Sequence, residues 1–306
     1  MIEQAHVGAA PVAGPATATT PTTQVTAAAV PLLEIANLRI SFGSAAGPVE
    51  VVKGVNLRMG RERVAVVGES GSGKSVTFRA LLGLLGGRAL VRADRLHFKG
   101  EDLRGLDAGA LRAMRGSRIG MVIQDPRQGF DPVMTIGDQL IEMLRLHGKL
   151  PRRGQVTRMH EMLADVHIRE PKRVAGLYPH QVSGGMAQRA MLAMMLSAEP
   201  ELLIADEATS ALDAVVRHRI LDLIDEQVRL RSMGLILISH DLDLVAQYAD
   251  RVVVMYAGRV MEEITTDGGS LQATHPYSRG LIASRPTLEH LGGDLPVLQR
   301  EAAWLT

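Results

Sequence analysis

The densest chemistry in this chain lies in eight consecutive residues. Gly68-Glu69-Ser70-Gly71-Ser72-Gly73-Lys74-Ser75 fits the pattern G-x-x-x-x-G-K-S. The glycines let the backbone turn tightly, so that successive N–H groups point into one concavity. Those donors, with the positive end of a following helix, hold phosphate oxygens. Lys74 is expected to reach the β- and γ-phosphates of ATP, and the Ser75 hydroxyl to ligate the Mg2+ that bridges them. Val76, next along, is counted with the nucleotide contacts. A Gly/Ser-rich surface turn is the plainer reading, but it leaves Lys74 unexplained in a chain with few lysines.

A second acidic station follows much later. Leu202-Leu-Ile-Ala-Asp206-Glu207 is an apolar run ending in two carboxylates. A carboxylate at the end of a buried strand is costly unless it meets a cation. The Mg2+ carried by ATP is the cation expected for Asp206, and Glu207 would then face the γ-phosphate and polarise the attacking water. Alone, the pair reads equally well as solvated acids at a strand end; the phosphate loop upstream decides for the functional reading. A third station is His180-Gln-Val-Ser183-Gly184-Gly185-Met186-Ala-Gln188-Arg189. It opens an apolar helix with Ser-Gly-Gly, another anion-binding helix start. One nucleotide cannot satisfy two such loops lying far apart on a rigid domain. A head-to-tail pair of subunits solves this, with Ser183 and Gly185 of one covering the ATP held by the other, and closure then depends on ATP.

The elements that must position these groups are legible from periodicity. Leu33, Ile35, Leu38 and Ile40 suggest an edge strand, with 51–57 as its partner. A short β-branched run over 63–67 leads into Gly68, and the spacing predicts a helix over 76–85 ended by Gly86-Gly87. Strands are expected over 95–98 and 119–123. Residues 126–200 show helices over 136–146, 156–168 and 186–197 and no strand, so they read as a helical insertion. Strand and helix then alternate over 202–205, 215–228, 235–238, 242–248 and 252–255. The expected class is therefore α/β, a P-loop fold with a mostly parallel central sheet, antiparallel edge strands and an inserted helical subdomain. The expected division is an N-terminal extension at 1–31, an ATPase domain at 32–265 with its helical part at about 126–200, and a C-terminal extension at 266–306.

Composition removes several classes. The chain has 306 residues, a net charge of +1 and no cysteine, which excludes disulfides, thiolate metal sites and cysteine nucleophiles. Aromatics are scarce and do not cluster with basic residues, so no nucleic-acid partner is expected. No run of eighteen apolar residues is present. Residues 1–31 are rich in Ala, Thr, Pro and Val and lack Lys and Arg, which reads as a disordered extension rather than a targeting signal.

With these residues in hand, the chain resembles the nucleotide-binding subunit of an ABC transporter, over roughly 33–265. Ser183-Gly184-Gly185-Met186 resembles the family signature L-S-G-G-Q, with Val182 for Leu and Met186 for Gln; the Met is familiar in the peptide/nickel importer branch. Gln124 resembles the Q-loop glutamine, which touches Mg2+ and the attacking water and links to the membrane subunit. Asp213, in Ser210-Ala-Leu-Asp213, resembles the D-loop, which contacts the other subunit. His240 resembles the switch histidine at the γ-phosphate. Phe42 is the candidate for the aromatic that stacks on adenine, where the family often has Tyr. Singly, each has a bland alternative, as a loop histidine, a strand-end glutamine or core; their order and spacing carry the resemblance.

The stretches 118–126 and 178–186, with His275-Pro-Tyr277 further on, resemble the oligopeptide, dipeptide and nickel import ATPases. That resemblance implies ATP and Mg2+ as cofactors and hydrolysis coupled to uptake. The implied partners are two permeases, a second like or unlike ATPase, and an extracytoplasmic solute-binding protein. The implied place is the cytoplasmic face of the cell membrane, with a coupling surface near 125–134 and peptide, nickel, nickel–chelator or opine-like cargo. A soluble ABC-type ATPase would carry a long coiled coil, zinc cysteines or a tandem cassette, and none is present. An exporter cassette is normally fused to membrane spans, and a P-loop kinase would lack Ser183-Gly-Gly and the Asp206-Glu207 pair.

Overall fold

Residues 30–45, 47–147, 150–210, 212–267, 269–284 and 304 are described by the structure, a computed structural model. Most of the expected extension at 1–31 and most of 285–306 lie outside the described residues. In chain order the strands are β1 (Leu33–Ser44), β2 (Gly47–Met59), β3 (Arg63–Val67), β4 (Ala89–Arg92), β5 (Arg95–Phe98), β6 (Glu101–Asp102), β7 (Ile119–Val122), β8 (Leu202–Asp206), β9 (Gly234–Ile238), β10 (Arg251–Tyr256) and β11 (Arg259–Thr265). The helices are α1 (Lys74–Leu81), α2 (Ala108–Met114), α3 (Ile136–His147), α4 (Arg152–Asp165), α5 (Pro171–Ala175), α6 (Gly184–Leu196), α7 (Ala214–Leu230), α8 (Leu242–Tyr248) and α9 (Pro276–Ala283).

The central sheet runs β11-β10-β3-β9-β8-β7. Its five members from β10 to β7 are parallel, and β11 is an antiparallel edge. Side chains alternate across it with period two. Val64 and Val66 of β3, Ile236 and Ile238 of β9 and Ile204 of β8 enter one apolar cluster with β1, β2 and α1. Ala65, Val67, Leu235, Leu237 and Leu203 enter another, with α6, α7 and α8. Burial on both faces explains why these strands read as unbroken apolar runs rather than alternating ones.

The remaining strands form a second, antiparallel sheet of order β2-β1-β5-β6, with β4 also on β1. Here the structure departs from the expected placement of β1 at an edge: it lies between β2 and the β4–β5 pair. The reason lies in β3, whose two sides are taken by β9 and β10. The N-terminal hairpin therefore cannot pair with the strand that follows it, and it stacks over the central sheet's face, with Leu38, Ile40, Val52 and Val55 in one apolar cluster with Val64 and Val66. The first helix also differs from its expected span. It starts at Lys74 and stops at Leu81, because Gly83 turns the chain with a left-handed φ of 58° before Gly86-Gly87 is reached. Between Pro126 and Pro200 the described residues contain helices and no strand.

Candidate nucleotide site

All five parallel strands end on the same side of the sheet, and the predicted chemistry collects there. Open α/β sheets bind ligands outside the carboxyl ends of their strands. The loop 68–73 follows β3, Gln124 follows β7, Asp206 ends β8, and Ser239-His240 follows β9. The loop is bent tightly against β10. A Cβ on Gly68, whose φ is +147°, would stand 2.0 Å from the Met255 carbonyl oxygen, so no other residue fits.

Lys74 is 5% exposed. Its ammonium donates to the Gly68 carbonyl at 2.8 Å, the Glu69 carbonyl at 3.0 Å and Ser72 Oγ at 3.4 Å. Burial pushes its pKa down, against the pull of Glu207, Asp206 and Glu69 nearby. Its direct hydrogen-bond partners are carbonyls and a hydroxyl, which an anion of higher charge can replace.

Asp206 is 2% exposed, and its two oxygens have separate partners. Ser75 Oγ donates to Oδ1 at 2.5 Å, and Arg79 donates to Oδ2 at 2.9 Å. Arg79 lies one helical turn beyond Ser75 on α1, so both reach the same carboxylate. Arg79 did not figure in the sequence reading; its i, i+4 relation to Ser75 was the available signal. Glu207 takes a left-handed conformation with φ of 48°, uncommon for a residue with a Cβ. Three hydrogen bonds pin that kink: its N–H donates to the Ile238 carbonyl at 3.0 Å, and its carbonyl accepts from Ser210 N at 3.1 Å and Ser210 Oγ at 3.0 Å. The kink leaves the Glu207 carboxylate 3.9 Å from His240 Nδ1, with the His240 side chain 56% exposed. Arg217, also outside the sequence reading, ties this corner together by donating to Asp241 at 3.1 Å and to the Leu212 carbonyl at 3.3 Å.

The oxygen donors Ser75 and Asp206, with the exposed amide of Gln124 at the same sheet edge, suit a small hard cation such as Mg2+. Phe42 is half-buried near the end of β1, where it pairs with Val49 and Ala89 and packs on the core beside α1.

The third station lies elsewhere. Ser183 caps α6, its Oγ accepting from Met186 N at 3.3 Å, and Asp213 caps α7 by accepting from Val216 N at 2.9 Å. Both line one cavity of about 710 Å3 with Gly184, Gly185 and Arg189. The loop residues, Asp206, Glu207 and His240 are not among its walls. A Cβ on Gly185 would come within 2.9 Å of Val216, so the glycine lets α6 start hard against α7. The predicted residues thus form two groups in one subunit. One gathers Gly68 to Val76 with Gln124, Asp206, Glu207 and His240; the other gathers Ser183, Gly184, Gly185 and Asp213.

Comparison with known proteins shows the family and the fold. Residues 52–210 match the model of the family described as ABC transporter. The chain is 44% identical to the dipeptide transport ATP-binding protein DppD of Bacillus subtilis, over 86% of this chain and 79% of that one. It is 42% identical to the oligopeptide transport ATP-binding protein OppD of the same organism, over 85% and 74%. Among solved structures, it resembles a dimeric ATP-binding cassette in a post-hydrolysis state bound to ADP and Pi, with a TM-score of 0.68 and 24% identity over 77% of this chain and 99% of that one.

Proposed function

Because this chain belongs to the ABC transporter ATP-binding family, we propose that it is the ATP-hydrolysing subunit of a peptide importer. The observation that carries ATP binding is Lys74, buried beside the loop and held by backbone carbonyls that a phosphate would replace. Peptide cargo rests on the names of its relatives, dipeptide and oligopeptide transport proteins. Nickel, chelate or opine cargo has no comparable support.

In this reading Lys74 leaves the loop carbonyls for the β- and γ-phosphates, and the loop N–H groups hold the rest of the chain of phosphates. Ser75, Asp206 and Gln124 would hold Mg2+, which offsets the negative charge of the phosphate oxygens. Glu207 accepts a hydrogen bond from the attacking water and polarises it, and His240, beside it, contacts the γ-phosphate. The fixed backbone kink aims Glu207 without further ordering when substrate arrives. Ser183, Gly185 and Asp213 act on the ATP of a second subunit, since they line a separate cavity. Two copies, or this chain with a similar one, would then close head to tail around two nucleotides.

Among the described residues no helix is long and apolar enough to cross a membrane. Membrane attachment therefore falls to permease partners, at the cytoplasmic face. An apolar groove of about 750 Å3 suits that contact better than the segment 125–134 alone. Leu82 and Leu84 after α1, Met143 and Leu146 of α3, and Met195 of α6 line it. It joins the sheet domain to the helical part, so a permease helix seated there would feel their relative motion.

The test is reconstitution with the permeases encoded beside this chain and their binding protein. Peptide-loaded binding protein is expected to stimulate ATP hydrolysis and nickel-loaded protein is not. Stimulation by nickel and not by peptide would overturn the cargo, and absence of any ATP hydrolysis would overturn the whole reading.

A further inference from the structure

The phosphate loop is supported from behind by the C-terminal part of the chain. Gly258, in the turn between β10 and β11, donates its N–H to the Ser72 carbonyl at 3.1 Å. Met255 of β10 lies against Gly68. The third support comes from α9. Tyr277 is wholly buried, and its hydroxyl accepts from the Glu69 N–H at 3.4 Å, a link spanning 208 residues.

Tyr277 is held firmly enough to act as a fixed point. Its ring packs on Tyr256, with centroids 4.5 Å apart, which anchors it; Trp304 adds only an edge contact at 5.7 Å. The start of α9 is tied to β11 through Glu262, which accepts from Thr274 N at 2.7 Å, Thr274 Oγ1 at 2.6 Å and His275 N at 3.2 Å. His275 Nδ1 accepts the Tyr277 N–H at 3.1 Å and caps the helix. The Pro276 ring fixes the first helical φ, which aims Tyr277 inward.

We propose that Tyr277 is a positioning residue for nucleotide binding: its hydroxyl holds the Glu69 peptide from behind and keeps the phosphate loop open. Glu69 is gripped on both sides. Its carbonyl accepts from Lys74 Nζ at 3.0 Å and Ser72 N at 3.1 Å, and its N–H meets Tyr277. When Lys74 turns to the phosphates it releases the Glu69 carbonyl, and the hold from the Tyr277 side stays in place. A loop kept in its binding conformation loses less entropy on binding, and this raises affinity without a new contact to the ligand. The inference rests on the loop binding nucleotide.

The test uses the full chain and titration calorimetry with Mg-ATP, followed by steady-state hydrolysis. Tyr277→Phe keeps the ring and removes the hydroxyl. Its ATP affinity is expected to fall about three- to tenfold, the size of one hydrogen bond, with KM rising in parallel and kcat within about twofold. Its melting temperature should stay within about 2 °C of the parent. Trp304→Leu removes ring packing and keeps the hydroxyl; it should melt lower and bind ATP as the parent does. Parent-like affinity in Tyr277→Phe overturns the proposal. Equal weakening in Trp304→Leu also overturns it, because packing would then be the cause. A parent protein that binds no ATP would instead overturn the nucleotide-binding reading, which separates the two failures.

Discussion

The two ends of the central strands treat charge in opposite ways. At the starting end the charges satisfy one another. Arg63, which opens β3, donates to Asp225 at 2.7 Å and to Asp250 through its backbone N–H at 2.8 Å and its guanidinium. Arg251 of β10 meets Glu62 at 2.9 Å and also Glu263. Glu201, just before β8, gathers Arg61, Lys99 and Arg118. At the finishing end Asp206 has Arg79 and Asp241 has Arg217, but Lys74 donates only to carbonyls and a hydroxyl, Glu207 sits 3.9 Å from an imidazole, and Ser183 and Asp213 cap helices that face a cavity. The same strands and burial support both ends. What differs is whether each charge has its complement within the chain, and a charge without one is where a ligand gains most.

The contrast can be broken or sharpened by four substitutions and conditions, taken from the largest expected effect down. Glu207→Gln should lower ATP turnover about a hundredfold or more while ATP still binds, because only the water-polarising charge is lost. Steady-state hydrolysis and nucleotide binding measured on one preparation check this; undiminished turnover would break the assignment. Lys74→Met should weaken ATP binding about a hundredfold, the loss of charge-assisted hydrogen bonds to phosphate. Its melting temperature without nucleotide should not fall, since the ammonium is buried against its own preference.

At the other end the pattern should invert. Arg63→Met should cost about 1 kcal/mol in urea unfolding, by leaving the half-buried Asp250 with the residue-63 backbone N–H but no guanidinium, with ATP affinity unchanged. A loss of ATP affinity there would mean the two ends are coupled. The smallest effect concerns acid. Arg63's hydrogen bonds hold Asp250 below its ordinary carboxylate value of 3.8, against the opposing push of burial. A carboxylate with a depressed folded pKa stabilises fully above its unfolded value and loses that contribution as pH falls through the folded one. The stability gap between the parent and Arg63→Met should therefore hold from neutral pH to about 4 and narrow below it. Denaturant midpoints across that range measure it.

The sequence made the finishing end more legible than its supports. The loop at 68–75 packs its chemistry into eight residues, and its strand–turn–helix setting was readable from one β-branched run and one apolar helix. Asp206 was readable because an unbroken apolar run stops at a carboxylate. Local caps were readable too, since Ser183 and Asp213 each precede a periodic segment. Arg79 was legible only as the residue one turn beyond Ser75, because its partner Asp206 is 127 residues away. Tyr277 was visible within His275-Pro-Tyr277, but nothing local points from it to Glu69. The place of β1 was misread as an edge for the same reason: pairing depends on which sides of distant strands are already filled.

The rear supports of the phosphate loop also set an order in time. The motif at 68–75 leaves the ribosome early, while the carbonyl of Met255, the turn at Gly258 and the Tyr277 hydroxyl leave it much later. A nascent chain that has reached only residue 250 carries the whole motif without these three supports. Nucleotide is therefore expected to bind such a chain more weakly than one that carries all three supports. Capture of ATP thus strengthens as the C-terminal part of the fold comes into place.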